Sequence, residues 1–295
     1  MKKLILIILP LILAKFLNAQ QIPTISQYTL NPYAINPAAT GITEKLPVAF
    51  AYRKLWAGIA ESPSFQYLSA NMEIAEVMGV GAKLYNYQAG PIRKTGLEAT
   101  YSYHISLGDA GTKLSFGLSG LIYQYYLNKS ELTIENPDDA VFMGTDKMIV
   151  PDASFGTYLY NEKYFAGLAI QQLFNRNVDL KTDRKLEQKQ VRHYYLHGGY
   201  DFDLSSDLQL EPSLLLKFIE TGIFQADINT RLTYKDMVAF GLAYRTGDAI
   251  SFQLGYKYND FMINYAFDLT LSPLKTQTFG SHEIMLIYSF SNFLK

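Results

Sequence analysis

The chain contains no cysteine, so it has no disulfide, no thiolate nucleophile and no attachment point for a lipid. Charge is scarce as well: Asp, Glu, Lys and Arg make up 18% of the chain, against about 25% in a soluble domain. A soluble barrel turns its apolar face inward and needs a charged outer face, which this inventory does not supply. The net charge of -1 leaves no electrostatic footprint for nucleic acid. Histidine is limited to four residues, too scattered for a metal centre. His193 and His197 share one face of a strand, but at that spacing they stand about 13 Å apart, too far for one ion. No Ser/His/acid constellation or oxyanion arrangement announces an enzyme, and no cofactor is implied. Long apolar runs are also missing, apart from Leu4 to Leu13, which is shorter than the roughly 20 residues a bilayer-crossing helix needs. With Lys2 and Lys3 before it and Ala19 after it, that run reads as a secretory signal over 1–19.

What the chain has in abundance is tyrosine and phenylalanine, and their spacing is regular. Val238, Phe240, Leu242 and Tyr244 alternate with Ala239, Gly241, Ala243 and Arg245. After Thr246-Gly247-Asp248 the alternation resumes with Ile250, Phe252, Leu254 and Tyr256, and after Asn259-Asp260 with Phe261, Ile263, Tyr265, Phe267 and Leu269. Strand side chains alternate faces, so each segment has one aromatic face and one small or polar face. An apolar outer band rich in aromatics over a polar lumen is the requirement of a barrel immersed in lipid. The fold class expected is therefore all-β, a transmembrane outer-membrane barrel of about fourteen antiparallel strands spanning 47–295.

The expected strands include 47–56, 64–74, 78–88, 93–107, 112–127, 152–160, 192–203 and, last, 281–290. With entry from the periplasm, the odd-numbered connections lie outside the cell, where such barrels carry their long loops. The longest connections, Asn128 to Pro151 and Gln172 to Val191, are the fifth and seventh, and Leu271 to Gly280 is the thirteenth. The even ones, such as Asn161-Glu162 and Asn259, are short. Before the barrel, 20–46 is too apolar for a disordered tail, and Asn31-Pro32, Asn36-Pro37-Ala38 and Gly41 bar a regular helix or ladder. It is expected to pack in or under the barrel.

Charged residues on the polar parity define the candidate lumen set: Glu211, Lys217, Asp227, Arg231, Arg245, Lys257, Asp268 and Glu283. Cross-strand ion pairing that fills the interior is one reading, and a lumen lined for a polar solute or polypeptide is the other. The outer loop from Arg176 to Arg192, with Lys181, Asp183, Arg184, Lys185, Glu187 and Lys189, reads as a solvated loop or a contact surface.

A wider set of motifs runs the length of the mature chain. It comprises Gln27-Tyr28, Asn31-Pro32, Asn36-Pro37-Ala38 with Gly41, Tyr52-Arg53 with Trp56, and Arg192-His193-Tyr194-Tyr195 with Gly199-Tyr200. Pro212-Ser213 with Lys217, Asp227 with Asn229, Tyr244-Arg245, Gly255-Tyr256, Phe267-Asp268 and Gly280-Ser281-His282-Glu283 follow. In this order and spacing the chain resembles the PorP/SprF outer-membrane proteins of type IX secretion and gliding motility. Phe267 stands where that family usually has tyrosine.

The resemblance implies a non-enzymatic barrel in the outer membrane that holds or helps export a secreted, adhesin-like surface protein. It also implies contacts with periplasmic components bound to peptidoglycan. The motif residues are open to either a structural or a partner-binding role. A diffusion channel or small-ligand transporter is the competing class, and a soluble enzyme a distant third.

Overall fold

The computed structural model describes residues 25–108, 111–131, 144–175, 177–179 and 187–291. The expected signal over 1–19 and residues 176 and 180–186 of the charge-rich loop lie outside the described residues.

Strands β1 (Leu46–Lys54), β2 (Ser64–Ala75), β3 (Met78–Ala89), β4 (Ile92–Ser106) and β5 (Lys113–Asn128) follow one another as a meander. It continues through β6 (Thr145–Tyr160) and β7 (Tyr164–Gln171); a separate small hairpin, β8 (Asn177–Asp179) with β9 (Glu187–Lys189), follows in the seventh connection. The wall resumes with β10 (His193–Tyr200), β11 (Phe202–Ser205), which extends it past Asp201, and β12 (Leu208–Ile219). It is completed by β13 (Ile223–Tyr234), β14 (Val238–Arg245), β15 (Ala249–Tyr258), β16 (Phe261–Thr270) and β17 (Ser281–Phe290). Every neighbouring pair is antiparallel, and β1 closes onto β17 with Leu46 opposite Phe290 and Lys54 opposite His282. Counting β10 and β11 as one bent strand, the ring has fourteen strands and no free edge running its full length.

The faces divide by parity. Leu84, Leu97, Leu118, Ile122, Phe240, Phe252 and Leu254 lie on the outer face and are exposed. Cross-strand pairs such as Leu254 with Tyr265 and Phe252 with Phe267 knit this band together. The inner face carries Ser102, Ser115, Ser119, Asn229, Asn264 and other polar residues, which are buried. A polar lumen becomes buried only when something fills it. Here the filling is residues 25–42, which run through the lumen as a plug containing two short turns, Pro32–Ala34 and Pro37–Ala39.

One strand departs from the sequence expectation. β6 begins at Thr145, not near 152, because Pro151 lies within the strand opposite Ile122 of β5. β7 pairs with β6 only from Phe155 to Tyr160. Proline is tolerated there because that stretch of β6 has a ladder on one side only. The wall around β4, β5 and β6 therefore rises above its neighbours on the outer side.

Candidate functional site

The plug is fixed at two places, and each explains part of the motif set. The first is a charge cluster around Ser26. Its hydroxyl lies 2.9 Å from Asp268 Oδ2 and accepts from Arg53 Nη1 at 2.6 Å and Arg245 Nη2 at 2.9 Å. Its backbone N–H donates to Glu283 Oε2 at 2.9 Å. The same Glu283 receives the backbone N–H of Gln27 at 3.2 Å. The guanidiniums in turn bridge the carboxylates: Arg53 to Asp268 at 2.6 Å and Glu283 at 2.9 Å, Arg245 to Asp227 and Asp268 at 2.9 Å each. These five charged side chains are all nearly inaccessible. Buried charges persist only when paired and hydrogen-bonded, and here each guanidinium fork meets two or more carboxylates.

The second place is a seat for Asn36-Pro37-Ala38. Asn36 caps its turn by accepting from the Ala38 N–H at 2.9 Å. Its amide nitrogen points at Thr157 O at 3.0 Å, Leu168 O at 3.3 Å and His197 Nε2 at 3.1 Å. The wall beneath is glycine. A Cβ on Gly117 would collide with Pro37 and Ala38, and one on Gly156 with the Asn36 side chain. A third, on Gly167, would stand 2.7 Å from Asn36 Nδ2. Lower down, Gly41 sits at φ +69 with its Cα close against Gly79, and its N–H donates to Asn71 Oδ1 at 3.0 Å. Any side chain at Gly41 meets both backbone strain and the β3 wall.

Between these two points the plug bonds to the wall through Tyr28 with Ser213 (3.4 Å), Asn31 with Ser69 (3.0 Å) and Tyr33 with Thr100 (2.9 Å). Burial pushes the Tyr28 and Tyr33 phenols above their ordinary range, so both hydroxyls stay neutral.

The motif residues thus separate by face. Asn36, Pro37, Gly41, Arg53, Asp227, Arg245, Asp268 and Glu283 all belong to the plug or its anchorage. His193, Gly199 and Lys217 also face the lumen: Gly199 accommodates the Phe165 ring, and His193 and Lys217 line a chamber above the plug. Tyr52, Tyr194 and His282 point the other way. Tyr52 is exposed on the outer band, Tyr194 packs on Phe218, and His282 Nδ1 hydrogen-bonds Tyr265 Oη at 2.6 Å. Trp56 lies in the first outer connection at φ +47, its N–H donating to Ser281 Oγ at 3.0 Å. Ser26, Gln253, whose amide reaches Ser26 O at 3.3 Å, and the buried pair Lys83–Glu98 at 3.3 Å carry no sequence signal that distinguishes them from other lumen residues. Among the described residues no group of three or more His, Asp or Glu side chains is arranged to hold a metal.

A closed antiparallel barrel with an apolar outer band, a polar lumen and an internal plug is an outer-membrane β-barrel. Over residues 17–288 the chain matches the family described as type IX secretion system membrane protein PorP/SprF, and it belongs to that family. It is therefore a non-catalytic protein of the outer membrane, associated with the type IX secretion machinery. Among solved structures it is similar to the toluene transporter TbuX of Ralstonia pickettii, with a TM-score of 0.55 at 8% identity over 90% of this chain and 94% of that one. It is also similar to the toluene transporter TodX of P. putida, with a TM-score of 0.51 at 10% identity over 89% of this chain and 94% of that one. At such identities the likeness is one of fold. No curated protein sequence matches the chain.

Proposed function

We infer that this barrel is a fixed scaffold of the type IX apparatus, holding or helping to export one secreted, adhesin-like surface protein. The observation that carries the reading is the plug: its Ser26 end is tied by hydrogen bonds to buried, ion-paired residues of β1, β14, β16 and β17, and its Asn36 turn is seated on glycines of β5, β6 and β7. A passage closed in this way serves poorly as a general pore, whereas a rigid, filled barrel suits a platform. The outer loops and the upper lumen are the surfaces left for the client polypeptide. The short inner turns face periplasmic partners bound to peptidoglycan.

The test is a pull-down of the tagged barrel, solubilised in detergent from its native cells, with mass spectrometry of what co-purifies. Stoichiometric recovery of a large secreted surface protein supports the scaffold, and recovery of the barrel alone counts against it. The second reading, a diffusion channel or small-ligand transporter, is favoured by the chamber above the plug. Single-channel recording in planar bilayers separates the two, since a large, steady conductance would overturn the scaffold.

A further inference from the structure

Above the plug, on the outer side of the lumen, the structure leaves a chamber of about 140 Å³. Ile25, Ala34 and Ile35 form its floor, and the rings of Phe65, Tyr85, Tyr123 and Tyr195 stand around it. A void of about 150 Å³ with apolar walls is large enough to hold a benzene ring. The chamber is not purely apolar, because Lys83, Lys94, Lys217 and His193 also line it, against a single carboxylate, that of Glu98. Lys83 lies 3.3 Å from that carboxylate, and so both charges are spoken for.

Among the described residues Lys94 and Lys217 have no such partner. The Lys94 ammonium stands 5.6 Å from the centre of the Tyr125 ring, and Lys217 Nζ donates to Gln225 Oε1 at 3.4 Å. No described carboxylate oxygen lies within 4.0 Å of either. Asp227, two places along from Gln225 on β13, is engaged by Arg245 at 2.9 Å. The two lysines come from opposite sides of the lumen, β4 and β12, and both line the one chamber. Binding sites for small molecules have this composition: aromatic walls with a few convergent polar groups that fix orientation. Two ammoniums over a ring-sized apolar void define an anion with a flat apolar body.

We propose that this chamber binds small aromatic carboxylates, the carboxylate held by a lysine of its lining, Lys94 or Lys217, and the ring lying among Tyr85, Tyr123 and Tyr195. The inference does not rest on the scaffold reading, because a client-holding barrel and a transporter are equally able to carry such a site. The probe is 4-fluorobenzoate, followed by fluorine NMR on the full barrel in nanodiscs of zwitterionic lipid. Saturable broadening is expected, with at least tenfold weaker binding of 4-fluorobenzyl alcohol, which keeps the ring and lacks the charge. The doubly substituted Lys94→Met, Lys217→Met barrel should lose at least tenfold in affinity for 4-fluorobenzoate. The Lys94→Arg, Lys217→Arg pair should keep most of it, which separates loss of charge from loss of folding. Absence of saturable binding to the wild-type barrel, or equal binding of acid and alcohol, overturns the proposal. The source of the carboxylate is resolved by competition with the tripeptide Gly-Gly-Phe. Displacement of the probe assigns the site to the end of a polypeptide, its absence assigns it to free acids, and both uphold the carboxylate chemistry.

Discussion

On the side of the lumen built by β1 and β13 to β17 the plug is held by charge, whereas on the side built by β3 to β7 it is held by shape. The first side offers Arg53, Arg245, Asp268 and Glu283, converging on one serine, with Asp227 held behind Arg245. The second offers glycines, on which a turn rests with its backbone against the wall. The difference teaches how one segment, whose Ile25, Tyr28 and Ile35 also pack on apolar wall residues, is fixed in a cavity by two unlike means. Ion pairs fix position strongly but need every partner present, because an uncompensated buried charge is costly. Glycine contacts add little attraction of their own and act by excluding alternatives, since no larger residue fits beneath the turn.

The sharpest way to break the comparison is Arg245→Met. It takes from Asp227 its guanidinium partner among the described residues and leaves Asp268 with Arg53 alone, and stability should fall by about 3–5 kcal/mol, read from urea unfolding of the barrel in vesicles. A loss under about 1 kcal/mol, the range of an exposed pair, would mean that water reaches the cluster. On the opposite side Gly156→Val drives a side chain into Asn36 and should cost about 1–3 kcal/mol by overpacking. Its partner experiment is Gly120→Val on β5, where a Cβ meets nothing within 4 Å and the change should stay within about 0.5 kcal/mol. Equal effects of the two valines would refute the seat.

Asn36→Ala removes the cap and the reach to β6, β7 and β10, and about 1–2 kcal/mol should be lost, with faster proteolysis near residue 36 as a second readout. The smallest effect is expected for Tyr123→Phe. Its buried hydroxyl has no hydrogen-bond partner among the described residues, so its removal should leave the unfolding midpoint nearly unchanged or slightly higher.

The charged side of this comparison was largely legible in the sequence and the shaped side was not. Arg245, Asp268 and Glu283 fall on the polar parity of strongly alternating strands, and a period of two assigns them to the lumen without further information. Parity also put the long connections on one side of the membrane. Ser26 was invisible because its partners come from strands 27 to 257 residues away in the chain, and no local pattern encodes that meeting. Gly117, Gly156 and Gly167 look like any glycines of a strand until the plug is laid across them. Pro151 misled for a physical reason: proline usually ends a ladder, but here half of the ladder is absent. Tyr52, Tyr194 and His282 travel with the lumen residues in the motif, yet their side chains meet the outer band, so a shared motif did not mean a shared site.

The meeting of Ser26 with Glu283 also constrains the order of assembly. Ser26 precedes the first strand and Glu283 lies in the last, and the same last strand closes the ring against β1. Contacts so distant along the chain are slow to form, since the entropy of bringing the ends together must be met before they contribute. Until β17 arrives, the plug lacks Glu283 and the wall lacks its seam. The anchorage of the plug therefore cannot be completed before the last strand is in place, which puts the locking of the interior at the end of assembly rather than at its beginning.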